Sequence, residues 1–168
     1  MLANTITLIR LLLTFIVIVL LKRYPFLNIA CLVIIAIIFV LDAVDGIVAR
    51  KRNEVSEFGA AFDVSADRII ENVFWVYFTA IGYIPLWIPL VVITRGVLTD
   101  TLQQYITPPK NRFIHDLTRS RISRGSYGAL KMLTFIYLAW VHLYFSGNPM
   151  IRKVGFIFAS TTVAICLI

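Results

Sequence analysis

Long apolar runs separated by short polar stretches dominate the chain. A helix needs about 20 mostly apolar residues to cross the hydrocarbon core of a bilayer, and six runs approach or reach that length. Prolines at 25, 85 and 108–109 fall between the runs, where proline opens or closes a helix. The pattern predicts six membrane-spanning helices at about residues 5–21, from 26 into segment 41–68, from within that segment to 83, 86–106, 126–145 and 150–168.

The composition supports this prediction. The 168 residues are 60% hydrophobic and 15% charged, with a mean hydropathy of +0.87, whereas soluble domains are roughly 45–50% apolar and about 25% charged. We therefore expect an all-α, polytopic membrane protein with one domain over residues 1–168. The net charge of +7 fits basic loops that face anionic lipid, and we do not expect nucleic-acid binding.

The lysines and arginines are distributed unevenly between the two sides of the predicted bundle. Eight lie in segments 50–52 and 108–124, and four lie in the loops on the opposite side. Cytoplasmic loops of membrane proteins carry the excess of Lys and Arg. The bias predicts that segment 41–68 faces the cytoplasm and that both termini lie on that side.

Four aspartates stand in segment 41–68, LDAVDGIVARKRNEVSEFGAAFDVSADR. Asp42 and Asp45 are three residues apart and Asp63 and Asp67 are four apart, so each pair shares one face of its helix. Carboxylates gathered at a membrane edge repel one another and are costly to bury. Divalent cations relieve both costs, and carboxylate oxygens suit Mg²⁺, Mn²⁺ or Ca²⁺. The alternative, a solvated loop with surface ion pairs, explains one aspartate better than four at helical spacings.

Small residues accompany the carboxylates at Gly46, Ala49 and Gly59. Such residues let two helices approach each other closely, and they equally let a bulky ligand approach the backbone. Spacing alone leaves both interpretations open.

The complete pattern is Asp-x2-Asp-Gly-x2-Ala-Arg-x8-Gly-x3-Asp-x3-Asp, over residues 42–67. At every fixed position it resembles the motif of the CDP-alcohol phosphatidyltransferase family. The resemblance implies a metal-dependent enzyme that transfers a phosphatidyl group from CDP-diacylglycerol to an alcohol and releases CMP. It also implies two Mg²⁺ or Mn²⁺ ions, a homodimer, and a bacterial cytoplasmic membrane as the location, with the active site at the cytoplasmic ends of helices 1–3.

The same resemblance assigns roles to the motif residues. Asp42, Asp45 and Asp63 are metal ligands, and Asp67 is both a ligand and the general base that deprotonates the acceptor hydroxyl. The residues expected to contact the nucleotide and diphosphate are Asn4, Thr7, Gly46, Ala49, Arg50 and Gly59.

The first helix carries polar residues at three-residue intervals, Asn4, Thr7 and Arg10, a pattern similar to that of many family members. Asn4 and Thr7 either hydrogen-bond the nucleotide or make polar contacts between helices. A charged residue within a span requires a partner, and the motif aspartates are the candidates for Arg10.

A second cluster is basic and consists of Arg95, Arg119, Arg121, Arg124 and Lys131. Arg95 and Lys131 are flanked by apolar residues, and a cation within a span indicates a functional site. The cluster predicts an anion pocket for a phosphorylated acceptor, such as sn-glycerol 3-phosphate or inositol phosphate. The structural alternative pairs Asp100 with Arg95 or Lys131.

The segments ITRGVLTDTL and SYGALKM resemble the phosphatidylglycerophosphate synthase branch, although glycine replaces a glutamate after Arg95, and a lysine and a threonine around Lys131 are missing. The first expected acceptor is therefore sn-glycerol 3-phosphate, with inositol phosphate, serine or another alcohol as alternatives. A different class, a carboxylate-lined divalent-cation transporter, needs ionisable groups through its depth, whereas these carboxylates gather at one end.

Overall fold

The computed structural model describes residues 2–21, 23–52, 57–105 and 121–167, with side chains at residues 2–3, 42–57, 60, 102–105 and 121–126 left outside the description. This part of the chain contains six α-helices, one short 3₁₀ helix at Pro25–Leu27 and no strand. The helices are α1 (Leu2–Leu20), α2 (Asn28–Arg52), α3 (Glu57–Ala80), α4 (Trp87–Tyr105), α5 (Arg121–Tyr144) and α6 (Pro149–Leu167). The predicted all-α fold is confirmed.

Local sequence explains where several helices begin and end. Asn148 caps α6: its side-chain oxygen accepts hydrogen bonds from the backbone N–H groups of Met150 at 3.0 Å and Ile151 at 3.4 Å, and Pro149 occupies the first helical position, where no N–H is needed. At the end of α3, Gly82 has φ +75°, a conformation that glycine adopts without steric cost. Its N–H donates to the Thr79 carbonyl at 2.9 Å and so closes the helix.

The six helices form a closed ring in the order α1, α2, α5, α6, α4, α3, since each packs against the next and α3 returns to α1. The closest approach is between α5 and α6 at Gly155, where an added Cβ would lie 2.8 Å from Leu138 Cδ2. The ring leaves the inner faces of α2, α3 and α5 to meet at its centre.

Aromatic side chains fill that centre. Phe39 of α2, Phe74 and Trp75 of α3, and Phe135 of α5 are all buried. Phe135 lies 4.7 Å from Trp75, 5.1 Å from Phe74 and 5.7 Å from Phe39, measured between ring centroids. Such offset and edge-on ring contacts add to the free energy of burial, so this aromatic core fixes the three helices that also position the candidate site.

The outer surface is apolar, and several buried residues are polar or charged. Large hydrophobic side chains are exposed along every helix, whereas Arg10, Glu71 and Lys131 are buried. By length and composition, Pro149–Leu167 can cross a membrane, and the described residues also include two shorter apolar helical stretches, Asn4–Leu20 within α1 and Pro25–Leu41 over the 3₁₀ helix and the start of α2. The predicted number of six helices is confirmed for the described residues, while the assignment of all six as membrane spans stays a prediction.

Candidate active site

Arg10 of α1 joins three helices of the bundle. Its side chain is 0% exposed. Its Nε donates a 3.1 Å hydrogen bond to the carbonyl of Ile38 in α2, and its Nη2 donates a 2.8 Å hydrogen bond to Asp67 Oδ1 in α3. The acidic partner expected for Arg10 among the motif aspartates is therefore confirmed as Asp67. Asp63 and Asp67 stand in the N-terminal half of α3, and we call the half of the bundle that contains them the carboxylate end.

Asp63 lies one turn before Asp67 on the same face of α3, and its Oδ1 is 3.6 Å from Arg10 Nη1. It precedes the largely apolar part of α3, residues 69–80. Burial raises the pKa of the Asp63 carboxyl and the negative charge of Asp67 raises it further, while Arg10 and a hydrogen bond from Thr7 lower it by less. One guanidinium thus offsets only part of the cost of holding two carboxylates together.

The residues present here fit a divalent cation. Asp63 Oδ1 is buried and accepts no hydrogen bond from the described residues, and its ion-pair contact with Arg10 Nη1 is long, at 3.6 Å. An oxygen in this position can take a metal ion as a further partner. Carboxylate oxygens are the donors that Mg²⁺ and Mn²⁺ prefer. No group of three His, Cys, Asp or Glu side chains gathers among the described residues, since only the α3 half of the predicted ligand set belongs to them.

The α2 half of the motif lies at the C-terminal part of that helix. The backbone at Asp42 and Asp45 is helical, as predicted, and the side chains of these two residues are outside the described residues. Three further predicted site residues, Gly46, Ala49 and Arg50, are likewise described by their helical backbone alone.

The predicted nucleotide contacts on α1 and α3 have different surroundings. Thr7 is buried and hydrogen-bonds Asp63, so it contacts the α3 carboxylate directly. Asn4 and Gly59 are half-buried, on α1 and α3 respectively. The sequence allowed two roles for Thr7, nucleotide binding or a polar contact between helices. The structure shows the contact between helices, and nucleotide binding stays a prediction.

A buried charged residue that the sequence analysis did not single out lies one turn beyond Asp67. Glu71 is 2% exposed, and its Oε2 accepts a 3.2 Å hydrogen bond from Lys131 Nζ of α5. Its Oε1 accepts hydrogen bonds from the Tyr127 hydroxyl of α5 and, at 3.4 Å, from Trp75 Nε1. A signal was available, because an ionisable residue within an apolar run indicates function. We call these four residues the Glu71 network.

The expected partners of Asp100 were wrong. Asp100 of α4 pairs with Arg68 of α3: Arg68 Nε donates to Oδ2 at 3.0 Å and Nη2 donates to Oδ1 at 2.9 Å. Lys131 pairs instead with Glu71, because α4, which carries Asp100, is not adjacent to α5 in the ring, whereas α3 and α5 meet at its centre. Arg95 is half-buried on α4.

The remaining basic residues of the predicted acceptor pocket are only partly described. Arg121 and Arg124 open α5, but their side chains lie outside the described residues, as does the whole of Arg119. The pocket thus stays a prediction, with Lys131 as its one member whose contacts are established.

A cavity of about 720 Å³ lies between α3 and α4. Its polar lining includes Ser65, Arg68, Asn72 and Asp100. These α3 positions lie on a different face of the helix from Asp63 and Asp67, so the cavity is separate from the carboxylates.

Comparison with known proteins identifies relatives of this chain. The family model described as CDP-alcohol phosphatidyltransferase matches residues 1–168. This chain belongs to the CDP-alcohol phosphatidyltransferase family. The motif positions 42–67, the helical bundle and the paired carboxylates of α3 are thus features of a family member, and the resemblance drawn from the sequence is confirmed.

Two curated phosphatidyltransferases match shorter segments. The chain is 39% identical over 69 residues to "CDP-diacylglycerol--inositol 3-phosphatidyltransferase 1" of Arabidopsis thaliana, which covers 41% of this chain and 30% of the relative. It is 36% identical over 75 residues to "Archaetidylinositol phosphate synthase" of Aeropyrum pernix, covering 45% of this chain and 38% of that protein. The matches therefore span about a third of the length of these family members.

Proposed function

We propose that this family member is an integral membrane enzyme that transfers a phosphatidyl group from CDP-diacylglycerol to a polar alcohol and releases CMP. The observation that carries the proposal is the pair Asp63 and Asp67. Both stand at the motif positions of the family, and both form ion pairs with the buried Arg10. We assign the whole chain, residues 1–168, to one catalytic domain, because the family match covers that range.

The proposed reaction joins the acceptor oxygen to the phosphorus of the phosphatidyl group. The bond from that phosphorus to the oxygen bridging it to CMP breaks, and CMP leaves with this oxygen. Asp67 accepts the proton of the attacking hydroxyl, as a general base within hydrogen-bond distance can. Because Arg10 engages Oδ1 of Asp67, it fixes the rotation of the carboxylate toward the reacting alcohol.

Asp42, Asp45, Asp63 and Asp67 are the residues proposed to hold divalent metal. Two Mg²⁺ or Mn²⁺ ions would supply charge neutralisation at the phosphate oxygens, which phosphoryl transfer requires. The buried Oδ1 of Asp63, which accepts no hydrogen bond from the described residues, supports this assignment. Asn4, Thr7, Gly46, Ala49, Arg50 and Gly59 are proposed to surround the nucleotide and diphosphate.

For the acceptor we propose a cyclitol, either inositol or an inositol phosphate. The names of both matched relatives contain inositol. They favour an inositol acceptor over sn-glycerol 3-phosphate, which was the first expectation from the sequence. We propose that basic residues on α4 and around the start of α5 bind a phosphate group of the acceptor. They are Arg95, Arg119, Arg121, Arg124 and Lys131.

A membrane location accounts for the surface of the bundle. Exposed apolar side chains with buried charges are the distribution expected for helices surrounded by lipid, where unpaired polar groups on the outside are costly. We propose six spans, a bacterial cytoplasmic membrane, the carboxylate end on the cytoplasmic side, and a homodimer as in the family.

The deciding experiment measures CMP release by the purified protein in lipid nanodiscs containing CDP-diacylglycerol, with Mg²⁺ or Mn²⁺. Four acceptors are compared: inositol, inositol phosphate, sn-glycerol 3-phosphate and serine. We expect release that depends on metal, is abolished by EDTA and is greatest with one of the two inositol compounds. Absence of release with every acceptor, together with metal uptake into proteoliposomes, would instead support a transporter.

A further inference from the structure

The Glu71 network lies directly beneath the proposed base. Asp63, Asp67 and Glu71 follow one another at intervals of four residues, so their side chains occupy successive turns of one face of α3. Arg10 of α1 holds Asp67 on this face, and Lys131 of α5 holds Glu71 one turn farther from the carboxylate end. The surroundings of Asp67 are therefore set by α1 on one side and by α5 beneath it.

The charged members of the network are buried. Lys131 is 6% exposed. Its Nζ lies 5.9 Å from the centroid of the Phe39 ring of α2 and 5.5 Å from that of the Tyr127 ring. Phe39 is three residues before Asp42 on α2. The network thus links α2, α3 and α5, the first two of which carry the four motif aspartates.

Stability alone does not explain this arrangement. Burying a carboxylate and an ammonium group costs desolvation that their attraction barely repays, and well-packed apolar residues of similar size are often as stable or more so. An apolar pair is thus a common alternative for holding two helices together. A charged pair also fixes the position of α5 relative to α3, because hydrogen bonds are directional. Glu71 accepts bonds from two different residues of α5, one through each carboxylate oxygen.

We infer that Glu71 is a positioning residue for the acceptor alcohol: it holds Lys131 and Tyr127 of α5 in register beneath Asp67. This inference rests on the proposed function. The acceptor hydroxyl must lie within hydrogen-bond distance of Asp67 to lose its proton, so the groups below Asp67 determine how the rest of the alcohol is oriented. The proposed contacts to the nucleotide and diphosphate are residues of α1 and α2 and Gly59 of α3, so binding of the CDP-lipid depends less on the network.

The test is the double variant Glu71→Met with Lys131→Met, which removes both charges and keeps the side-chain volume. Purified variant and wild type are compared for thermal unfolding in detergent and for the KM values of inositol and CDP-diacylglycerol. We expect an unfolding temperature close to that of the wild type, an inositol KM raised about tenfold or more through misplacement of the alcohol, and a CDP-diacylglycerol KM within about twofold.

The matched control is Thr134→Val with Thr162→Val. These hydroxyls form another buried polar pair of α5, 2.7 Å apart, which faces α6 instead of α3. Loss of this pair perturbs the packing of α5 without touching the Glu71 network, so both KM values should be unchanged. A similar rise in the inositol KM in the control would show that any damage to α5 has the same effect and would overturn the inference.

Two further outcomes are decisive. If the methionine variant has both KM values of the wild type, the network is purely structural and the inference fails, while the proposed function stands. If wild-type protein releases no CMP with any alcohol, the proposed function fails and the inference falls with it. Should the methionine variant not fold, Tyr127→Phe decides, since it removes one hydroxyl donor of Glu71 and no charge. An unchanged inositol KM in Tyr127→Phe would then refute the inference.

Discussion

Arg10 and Asp67, which are 57 positions apart in the chain, form a 2.8 Å hydrogen-bonded ion pair, and the guanidinium is completely buried. The same guanidinium also binds the Ile38 carbonyl through Nε. A planar group with several fixed donors is required to satisfy an acceptor on α2 and another on α3 at once. The orientation of the proposed base therefore depends on a residue of the first helix.

Arg10→Lys should lower kcat for CMP release by about tenfold or more, because a single ammonium cannot reproduce both contacts and the Asp67 carboxylate is free to rotate. The measurement is steady-state CMP release in nanodiscs. The control is Thr14→Val, which removes a hydroxyl that donates to the Arg10 carbonyl at 2.9 Å and leaves the guanidinium in place. A kcat within twofold of wild type in Arg10→Lys would contradict the role given to Arg10.

Asp67→Asn should reduce CMP release by about 10²-fold or more, since the amide cannot accept the hydroxyl proton. Binding of CDP-diacylglycerol should stay measurable by equilibrium binding to the nanodisc-embedded variant. Asp100→Asn is the matched control, because its carboxylate binds Arg68 on a different face of α3. Near-normal turnover of Asp67→Asn would exclude this residue as the base.

The Arg68–Asp100 pair should stabilise the packing of α3 against α4. Two parallel hydrogen bonds join the groups, yet both side chains are about a third exposed, so we expect a coupling free energy of about 1 kcal/mol. A double-mutant cycle with Arg68→Met and Asp100→Asn, followed by unfolding in detergent, measures it. Additive effects of the two changes would show that the pair contributes nothing.

Gly82→Ala should lower the free energy of unfolding by about 1–2 kcal/mol, because φ +75° places Cβ of an L-residue against the following carbonyl. Gly147→Ala is the control: it too lies in a turn between helices, and nothing stands within 4 Å of its added Cβ. Unfolding monitored in detergent compares the two variants. Equal stability of both would mean that the turn after α3 relaxes without strain.

Hydrophobic patterning alone predicted the helices closely. The fourth and sixth runs, 86–106 and 150–168, correspond to Trp87–Tyr105 and Pro149–Leu167, because prolines and short polar turns delimit them. The fifth helix begins at Arg121, earlier than the apolar run at 126. The extra turn is polar, RISRG, and apolar periodicity marks only the buried part of a helix.

Ion pairs between helices were harder to predict than the helices. The partner of Arg10 could be limited to the motif aspartates, but Asp100 was assigned the wrong partner because the order of helices around the ring is not encoded in spacing along the chain. Glu71 was missed for a related reason. It stands alone in an apolar segment, and its partners Lys131 and Tyr127 are 60 and 56 positions away.

The aromatic core described above, together with Phe78, lies between the carboxylate end and the other end of the bundle. Phe39, Phe74, Phe78 and Phe135 are at most 9% exposed, and their ring centroids lie 5.1–6.5 Å apart in contacting pairs. A hydrated cation that reached Asp63 and Asp67 would meet these rings before it reached the far end of the bundle. In the proposed membrane location, we therefore expect ions and water to reach the carboxylates from the end where they lie, and we expect a membrane containing this protein to stay impermeable to ions.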